Sequence, residues 1–542
     1  MLKQAAIILA LIAVVVLPFA LRPEKTAGGA ADDALVIITP HNEAIRHEFG
    51  RAFAGWYRER TGRTVAVDWR VIGGTSEIAR FLESEYVASF QNHWMNELRR
   101  PWSIEVQAAF ANARLPKDAS PLAQEARAAF LASDVGCGID LFFGGGSFDF
   151  IRQADAGRLV ESRILRTHPD WFTPDVIPQA YAGEPYWDAK GRWIGNVLSS
   201  YGIISNRDSL GRLAVAEELV TWDDLANPRL AGEVALCDPT KSSSIAKAFE
   251  NMIQQKMQQR LEALRAERPG AAAREIEAQA VREGWAEGLR LLQRMGANAR
   301  YFTDSSQKPP IDVSQGNSAV GVCIDFYGRY QVEAAQRHGG AGRLRFVTPE
   351  GGTVSSVDPI ALLRGAPNRE VAELFIEFTL SLEGQRLWNF RVGAEGGPER
   401  FALRRLPVRR DFYARADWKP LRSDPEAQPF DQRNPLIYRP EWTGGIFREM
   451  AFVIRVMCLD AHPDLVDAWR DIIRAGMPPA ALAALSDVSF VGYDEMGGRI
   501  KQALNSKNKV DEVTMANELA DRFRAQYRRA GEIARNAGVA AK

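Results

Sequence analysis

Short apolar runs alternate along the chain with segments whose apolar positions recur every three or four residues. Ala34 to Thr39 is an unbroken apolar run. Asn42 to Arg60 then sets Ile45, Phe49, Phe53 and Trp56 on one helical face before Gly62 ends it. The order repeats: Thr64 to Ile72 reads as a strand, Gly73-Gly74 as a turn, and Thr75-Ser76 as the cap of a helix carrying Ile78, Phe81 and Leu82. Further strands are expected at Ile139 to Phe143, Gly195 to Ser205, Glu233 to Leu236, Ala319 to Ile324 and Val354 to Leu363. Tyr86 to Ser133 reads as irregular helix and Asn368 to Phe390 as one amphipathic helix. Met252 to Arg300, rich in Gln, Glu, Arg and Ala and interrupted at Pro269-Gly270, reads as a solvated helical pair. Strands alternating with helices predict an α/β fold with parallel sheets covered on both faces. After about Phe401 strands become scarce, and helix-spaced positions such as Leu465, Val466, Trp469, Ile472 and Ile473 run on to Ala541. This appended helical region is expected to pack on the body or to dock on a partner.

The N-terminus has a different pattern. Lys3 precedes seventeen uncharged residues, Ala5 to Leu21, and Arg22, Glu24 and Lys25 follow. This is an export segment at the short limit of a membrane span, and Pro18-Phe19-Ala20 is a mediocre cleavage context. A cleaved signal peptide and a retained anchor both fit, with the anchor slightly preferred and Arg22 to Asp33 as a polar tether. The remainder is expected outside the cytoplasmic membrane, in the periplasm.

Composition narrows the function classes. A chain of 542 residues, 46% hydrophobic and 25% charged, is ordinary globular material with room for several cores. Its 68 basic and 68 acidic residues cancel, so there is no basic footprint for nucleic acid. The four cysteines, Cys137, Cys237, Cys323 and Cys458, have no C-x-x-C spacing, and the six histidines form no HExxH. Ser244-Ile245-Ala246-Lys247 matches S-x-x-K, but no S-D-N follows and the only Lys-Thr pair, Lys25-Thr26, lies in the tether; Gly145-Gly146-Ser147 lacks the following glycine of a nucleophile elbow. No catalytic base and nucleophile pair is evident, and no cofactor is called for.

In an open parallel sheet, ligands bind outside the carboxyl ends of the strands, where helix N-termini present unpaired N–H groups. Pro40-His41-Asn42, Gly73 to Ser76, Gly144 to Ser147 and Thr240 to Ser244 all stand at such ends. The last is the most informative, because Thr240, Ser242, Ser243, Ser244 and Lys241 could together hold one anionic group, whereas capping needs a single hydroxyl. Gly145 and Gly146 allow close backbone approach, and Tyr327, with Asp325 and Arg329 nearby, follows another strand end.

Several of these segments carry a resemblance. Leu35-Val36-Ile37-Ile38-Thr39-Pro40-His41-Asn42, Thr221-Trp222-Asp223-Asp224-Leu225-Ala226-Asn227-Pro228-Arg229-Leu230-Ala231-Gly232 and Asp238-Pro239-Thr240-Lys241-Ser242 resemble the extracellular solute-binding proteins of ABC importers. Within that family the nearest branch contains ferric-iron and phosphorylated-sugar binders. Gly195 to Asn206, Ile324-Asp325-Phe326-Tyr327 and Leu406-Pro407-Val408-Arg409 also fit, so the resemblance runs from Ala34 to Tyr413. It implies a type II periplasmic-binding fold, two α/β lobes joined by two crossing strands near Leu198 to Ile204 and Val354 to Ile360. The expected division is residues 1–33 export segment and tether, 34–200 with 356–413 lobe one, 201–355 lobe two, and 414–542 the helical extension. Cys237 and Cys323 would close neighbouring strands of lobe two, where free thiols are the commoner state and a disulfide is the alternative.

The resemblance also frames the ligand. Iron binders of this branch commonly combine a histidine at the first strand end, a carboxylate and two adjacent tyrosines. Here His41, Glu77 and Tyr327 could serve iron, but Phe326 stands where one phenolate would be, which weakens a ferric site. A small anionic solute, a phosphorylated one included, is therefore favoured. The ligand-binding candidates are His41, Asn42, Gly74, Thr75, Ser76, Gly145, Gly146, Thr240, Lys241, Ser242, Ser243, Asp325 and Tyr327. The expected role is a monomeric, non-catalytic receptor that hands its solute to an ABC permease. The alternatives are a ferric-iron receptor and a membrane-anchored sensor or scaffold.

Overall fold

The computed structural model describes residues 31–431, 434–506 and 508–540, so the export segment lies outside the described residues. The elements that position the site begin with β1 (Asp33–Ile38), α1 (Glu43–Thr61), β2 (Val65–Arg70) and α2 (Thr75–Asn92). Next come β3 (Leu141–Phe143), α3 (Ser147–Ala156), β4 (Ile194–Ser199), β5 (Tyr201–Asn206) and β6 (Val234–Cys237). Two long helices, α4 (Ser243–Glu267) and α5 (Ala273–Ala297), precede β7 (Ala299–Thr303), β8 (Val320–Ile324), α6 (Asp325–Arg337), β9 (Leu344–Val347) and β10 (Ser356–Leu363). The chain continues through α7 (Arg369–Leu380), α8 (Leu382–Asn389) and β11 (Leu406–Pro407) to the C-terminal helices α9 (Phe447–Arg455), α10 (His462–Arg474) and α11 (Lys509–Ala540).

The strands form two main sheets. The first runs β11-β4-β10-β3-β1-β2, and the second runs β7-β6-β8-β5-β9. In the first, β1 is parallel to β2 and β3, while β10 enters antiparallel between β3 and β4. The chain leaves this sheet at Ser199, starts β5 of the second at Tyr201, and returns between Val347 and Ser356. Two crossings between two mixed sheets, with the late strand β10 antiparallel in the first and the early strand β5 antiparallel in the second, make the type II periplasmic-binding fold. At the crossings Tyr201 N–H donates to Thr353 Oγ1 at 3.1 Å, so the two connecting segments lie side by side.

Several expectations need correction. Thr75 and Ser76 are the first helical residues of α2, and Gly74 is the N-cap, its N–H donating to the Glu77 carboxylate at 2.6 Å. The single helix expected over Asn368 to Phe390 is two, because Ser381 leaves helical geometry and its hydroxyl caps α8 at Gly384 N–H. The strands β7, β9 and β11 were not read from the sequence at all.

The helices α4 and α5 are not a solvated pair. Met252, Ile253, Met257, Leu261, Trp285, Leu289 and Leu292 are buried, and the two helices pack closely along their length. The C-terminal helices cover them. Trp469 Nε1–H donates to Asn298 at 2.8 Å, and Leu465, Phe523 and Tyr527 join the same core as the second sheet. Cys237 and Cys323 are both buried free thiols.

Candidate functional site

The loops after β1, β2, β3 and β6 converge, as is seen from what a side chain at each glycine would strike. A Cβ on Gly144 would lie 2.3 Å from the His41 ring, and one on Gly145 would lie 2.4 Å from Thr75 Oγ1. Across the lobes, a Gly146 Cβ would stand 3.6 Å from Ser243 Oγ, and a Gly74 Cβ 3.1 Å from the Lys241 carbonyl oxygen. Gly144 and Gly145 have φ of 91° and 114°, which glycine adopts without the strain a side chain would add. The N-termini of α2, α3 and α4 therefore meet at one place, two from the first lobe and one from the second. Each brings orphan N–H groups and a positive dipole end.

The hydroxyl cluster of the second lobe is only partly free. Thr240 Oγ1 donates to Asp238 at 2.7 Å, closing a local turn, and Ser242 is the N-cap of α4, accepting from Ile245 N–H. The expectation that four hydroxyls face a ligand is thus corrected: Thr240 is spent on the Asp238 carboxylate and Ser242 on the first turn of α4. Lys241 is exposed, and Ser243 is buried with a hydroxyl that has no hydrogen-bond partner among the described residues. Asn42 likewise acts as the N-cap of α1, accepting from Ile45 N–H at 3.1 Å.

His41 is not an exposed loop residue. It is buried, its Nε2 lies 3.7 Å from Asp358 Oδ2 and 3.4 Å from Arg405 Nη1, and its ring stands edge-on to Phe143. Burial and the Arg405 charge lower its pKa below the usual imidazole value, so the ring stays neutral at pH 7. Arg405 is 0% exposed, pairs with Asp358 at 2.8 Å, donates to Ser199, and lies 4.4 Å above the Phe326 ring of the second lobe. Burial alone would raise Asp358, but Arg405 and His41 more than offset it and hold the carboxyl below the ordinary range.

Tyr327 packs beside Phe326, the two rings tilted with centroids 4.1 Å apart, and burial pushes its phenol well above the usual value. Asp325 is buried; its Oδ2 is paired with Arg329 on the next helical turn, while Oδ1 has no hydrogen-bond partner among the described residues. The candidates His41, Thr75, Gly145, Gly146 and Ser243 are brought together, with Asn42, Gly74, Thr240, Lys241 and Ser242 in the supporting loops and Ser76 in the first turn of α2, while Tyr327 lies beside Phe326 on the Arg405 side. Glu77 is engaged with Gly74 rather than with His41.

Sequence reasoning missed Arg405, Asp358 and Asp149. Asp358 had a signal, a charge inside the apolar run Val354 to Leu363. Arg405 directly precedes Leu406-Pro407-Val408-Arg409, which was recognised, but nothing local marks it as buried. Asp149, in the first turn of α3, looks like an ordinary helix-start acid, yet it is buried and faces Ser243.

Comparison with known proteins bears on this arrangement. Residues 138–393 match the family described as bacterial extracellular solute-binding protein. The resemblance read from the motifs is thereby shown. The match takes in β3, the whole second sheet, both crossings and β10. An uncharacterised protein of Haemophilus influenzae is 25% identical over 262 residues, 44% of this chain and 66% of the relative, just under two thirds of its length. Among solved structures, the periplasmic binding protein AfuA from Actinobacillus pleuropneumoniae, with fructose 6-phosphate bound, is 18% identical. That likeness has a TM-score of 0.41 over 66% of this chain and 82% of AfuA. The apo ferric ion-binding protein A of Pasteurella haemolytica is 13% identical, with a TM-score of 0.47 over 77% of this chain and 95% of that one.

Proposed function

We propose that the protein is an extracytoplasmic receptor that captures a small anionic solute, a phosphorylated one included, between its lobes and delivers it to an ABC permease. The observation that carries this reading is the meeting of three helix N-termini at one place beside the unpartnered, buried Ser243 hydroxyl. Such a junction stabilises negative charge through N–H groups and helix dipoles from both lobes, so bound anion favours closure over opening. Thr75, Ser76, Gly145, Gly146 and Ser243 would line the anion, with Lys241 at the rim.

The geometry favours anion over iron. His41 Nε2 is beside the Arg405 guanidinium, and Asp358 is already paired with that same cation. A hard trivalent cation gains little next to a buried guanidinium. Titration calorimetry with glucose 6-phosphate, inorganic phosphate and ferric citrate tests the reading. We expect binding of a phosphate compound that is weakened at least tenfold in Ser243→Ala combined with Thr75→Ala. Binding of iron alone, or phosphate binding untouched by these changes, would overturn it.

A further inference from the structure

Asp149 sits where the proposed anion would be held. It lies in the first turn of α3, a ten-residue helix, and is only 5% exposed. Ser243, at the start of α4 in the other lobe, is 6% exposed. The Ser243 hydroxyl stands near enough to favour the charged form of the carboxyl, yet neither Asp149 Oδ2 nor Ser243 Oγ completes a hydrogen bond with any described residue. An acceptor and a hydroxyl are thus buried face to face between two helix N-termini with bonding capacity unused. The charged groups around Asp149 are Arg152 on its own helix and Arg80 on α2, while α4 presents only the Ser243 hydroxyl. In the neighbouring cluster Asp358 is ion-paired with Arg405 and lies close to His41, while His41 Nδ1 and Arg405 Nε have no hydrogen-bond partner among the described residues.

A carboxylate at this spot takes the place of the anion that the dipoles would otherwise attract. A ligand anion arriving beside it would set two like charges together in a water-poor junction, which neither tolerates while both are ionised. Resting on the anion reading of the site, we infer that the receptor binds its anion together with one proton, carried by the Asp149 carboxyl, whose O–H then donates to an oxygen of the ligand. Burial already prepares the group, raising its pKa to about 6 against the lesser opposing effects of Arg152 and Ser243. The added anion raises it further. Proton uptake therefore accompanies binding at neutral pH, and the solute is held more tightly in a mildly acidic compartment.

The test uses inorganic sulfate and glucose 6-sulfate, whose charge does not change between pH 5 and 8, in titration calorimetry across that range and in buffers of different ionisation enthalpy. For the unaltered protein we expect affinity to fall as pH rises above about 6, approaching tenfold per unit, with close to one proton taken up per anion. Asp149→Asn keeps the shape and removes the titration; it should bind with a flat pH profile and no proton uptake, and Ser243→Ala should keep the slope while weakening binding overall. A slope or proton uptake that persists in Asp149→Asn, or pH-independent binding by the unaltered protein, overturns the inference and leaves the anion receptor standing. Absence of binding of both sulfates and of glucose 6-phosphate by the unaltered protein and by Asp149→Asn at pH 5.5 overturns the anion receptor itself.

Discussion

Arg405 shows how one buried side chain can serve both structure and site. It neutralises Asp358, packs on Trp388 at 5.4 Å and carries Phe326 of the opposite lobe on its face. Removing one member of a buried pair leaves the other charge unmatched, a cost of about 3–5 kcal/mol. Arg405→Met should therefore lower the urea midpoint strongly, and the double variant with Asp358→Asn should recover much of the loss. Equal losses in the single and double variants would mean that the cation–π contact, worth about 2 kcal/mol when desolvated, and packing outweigh the pair.

Asp149 makes an opposite prediction. Its pKa in the folded protein, about 6, lies above the ordinary carboxyl value of 3.8. The folded state binds the proton more tightly, so the contribution of this group to stability is greatest below pH 4 and is lost as pH rises through 6. Asp149→Asn should be more stable than the parent by about 2–3 kcal/mol at pH 7 and equal to it near pH 4, measured by thermal unfolding across that range. Equal stability at both pH values would contradict the burial assigned to this group.

At the scale of elements, the helical pair α4 and α5 was the main misreading, and the reason is physical. Their polar residues looked solvent-facing, but Gln254 is buried and donates to Thr443 at 2.7 Å and to the Arg439 carbonyl at 2.9 Å, and Gln293 is buried and donates to Tyr527 at 3.2 Å. Those partners lie well over a hundred residues downstream, beyond the reach of periodicity. The small residues did carry a sign: a Cβ on Gly284 would fall 2.3 Å from Met257 Cα, and one on Gly288 would fall 2.8 Å from Ile253 Cα. Gly284→Val should thus destabilise the second lobe by at least about 1–3 kcal/mol, read by chemical denaturation. A neutral outcome would mean that the helices are not in register as described.

The first sheet was far more legible. β1 and β2 alternate with α1 and α2 in short range, and Asn42 and Gly62 act as the caps their residue types suggest. Short strands such as β9, whose side chains are only partly buried, and two-residue β11 have no run long enough to announce themselves. In the site, strand-end loops were legible because topology alone places ligands there. Side chains reaching in from β10 and from just before β11, or hidden in a helix first turn, were not.

For the whole molecule, the C-terminal extension couples the lobes. Tyr438 N–H donates to Ala182 O at 2.8 Å in the first lobe, and its hydroxyl donates to Glu250 of α4 at 3.1 Å in the second. Lys247 Nζ of α4 lies 3.2 Å from the Tyr438 ring centroid and 2.5 Å from the buried Glu184 of the first lobe. Leu436 and Tyr438 pack on Val354, within the returning crossover. This strap crosses the segment that must flex if the lobes open. Tyr438→Ala should speed amide hydrogen exchange at the crossovers and enlarge the radius of gyration without solute, while leaving the α10–α11 helices protected. Unchanged exchange at residues 348–356 would show that the strap does not restrain them.

Among the described residues no helix is long and apolar enough to cross a membrane, and the export segment lies outside them. Solute capture outside the cytoplasm is the claim on which the account turns. The most direct measurement is native mass spectrometry of the protein expressed with its own N-terminal segment, comparing its mass before and after denaturation. The account predicts loss of a small organic anion on denaturation, with less retained in Ser243→Ala. A mass increment of iron with a visible phenolate charge-transfer band would contradict it, moving the weight of the site to His41 and Tyr327.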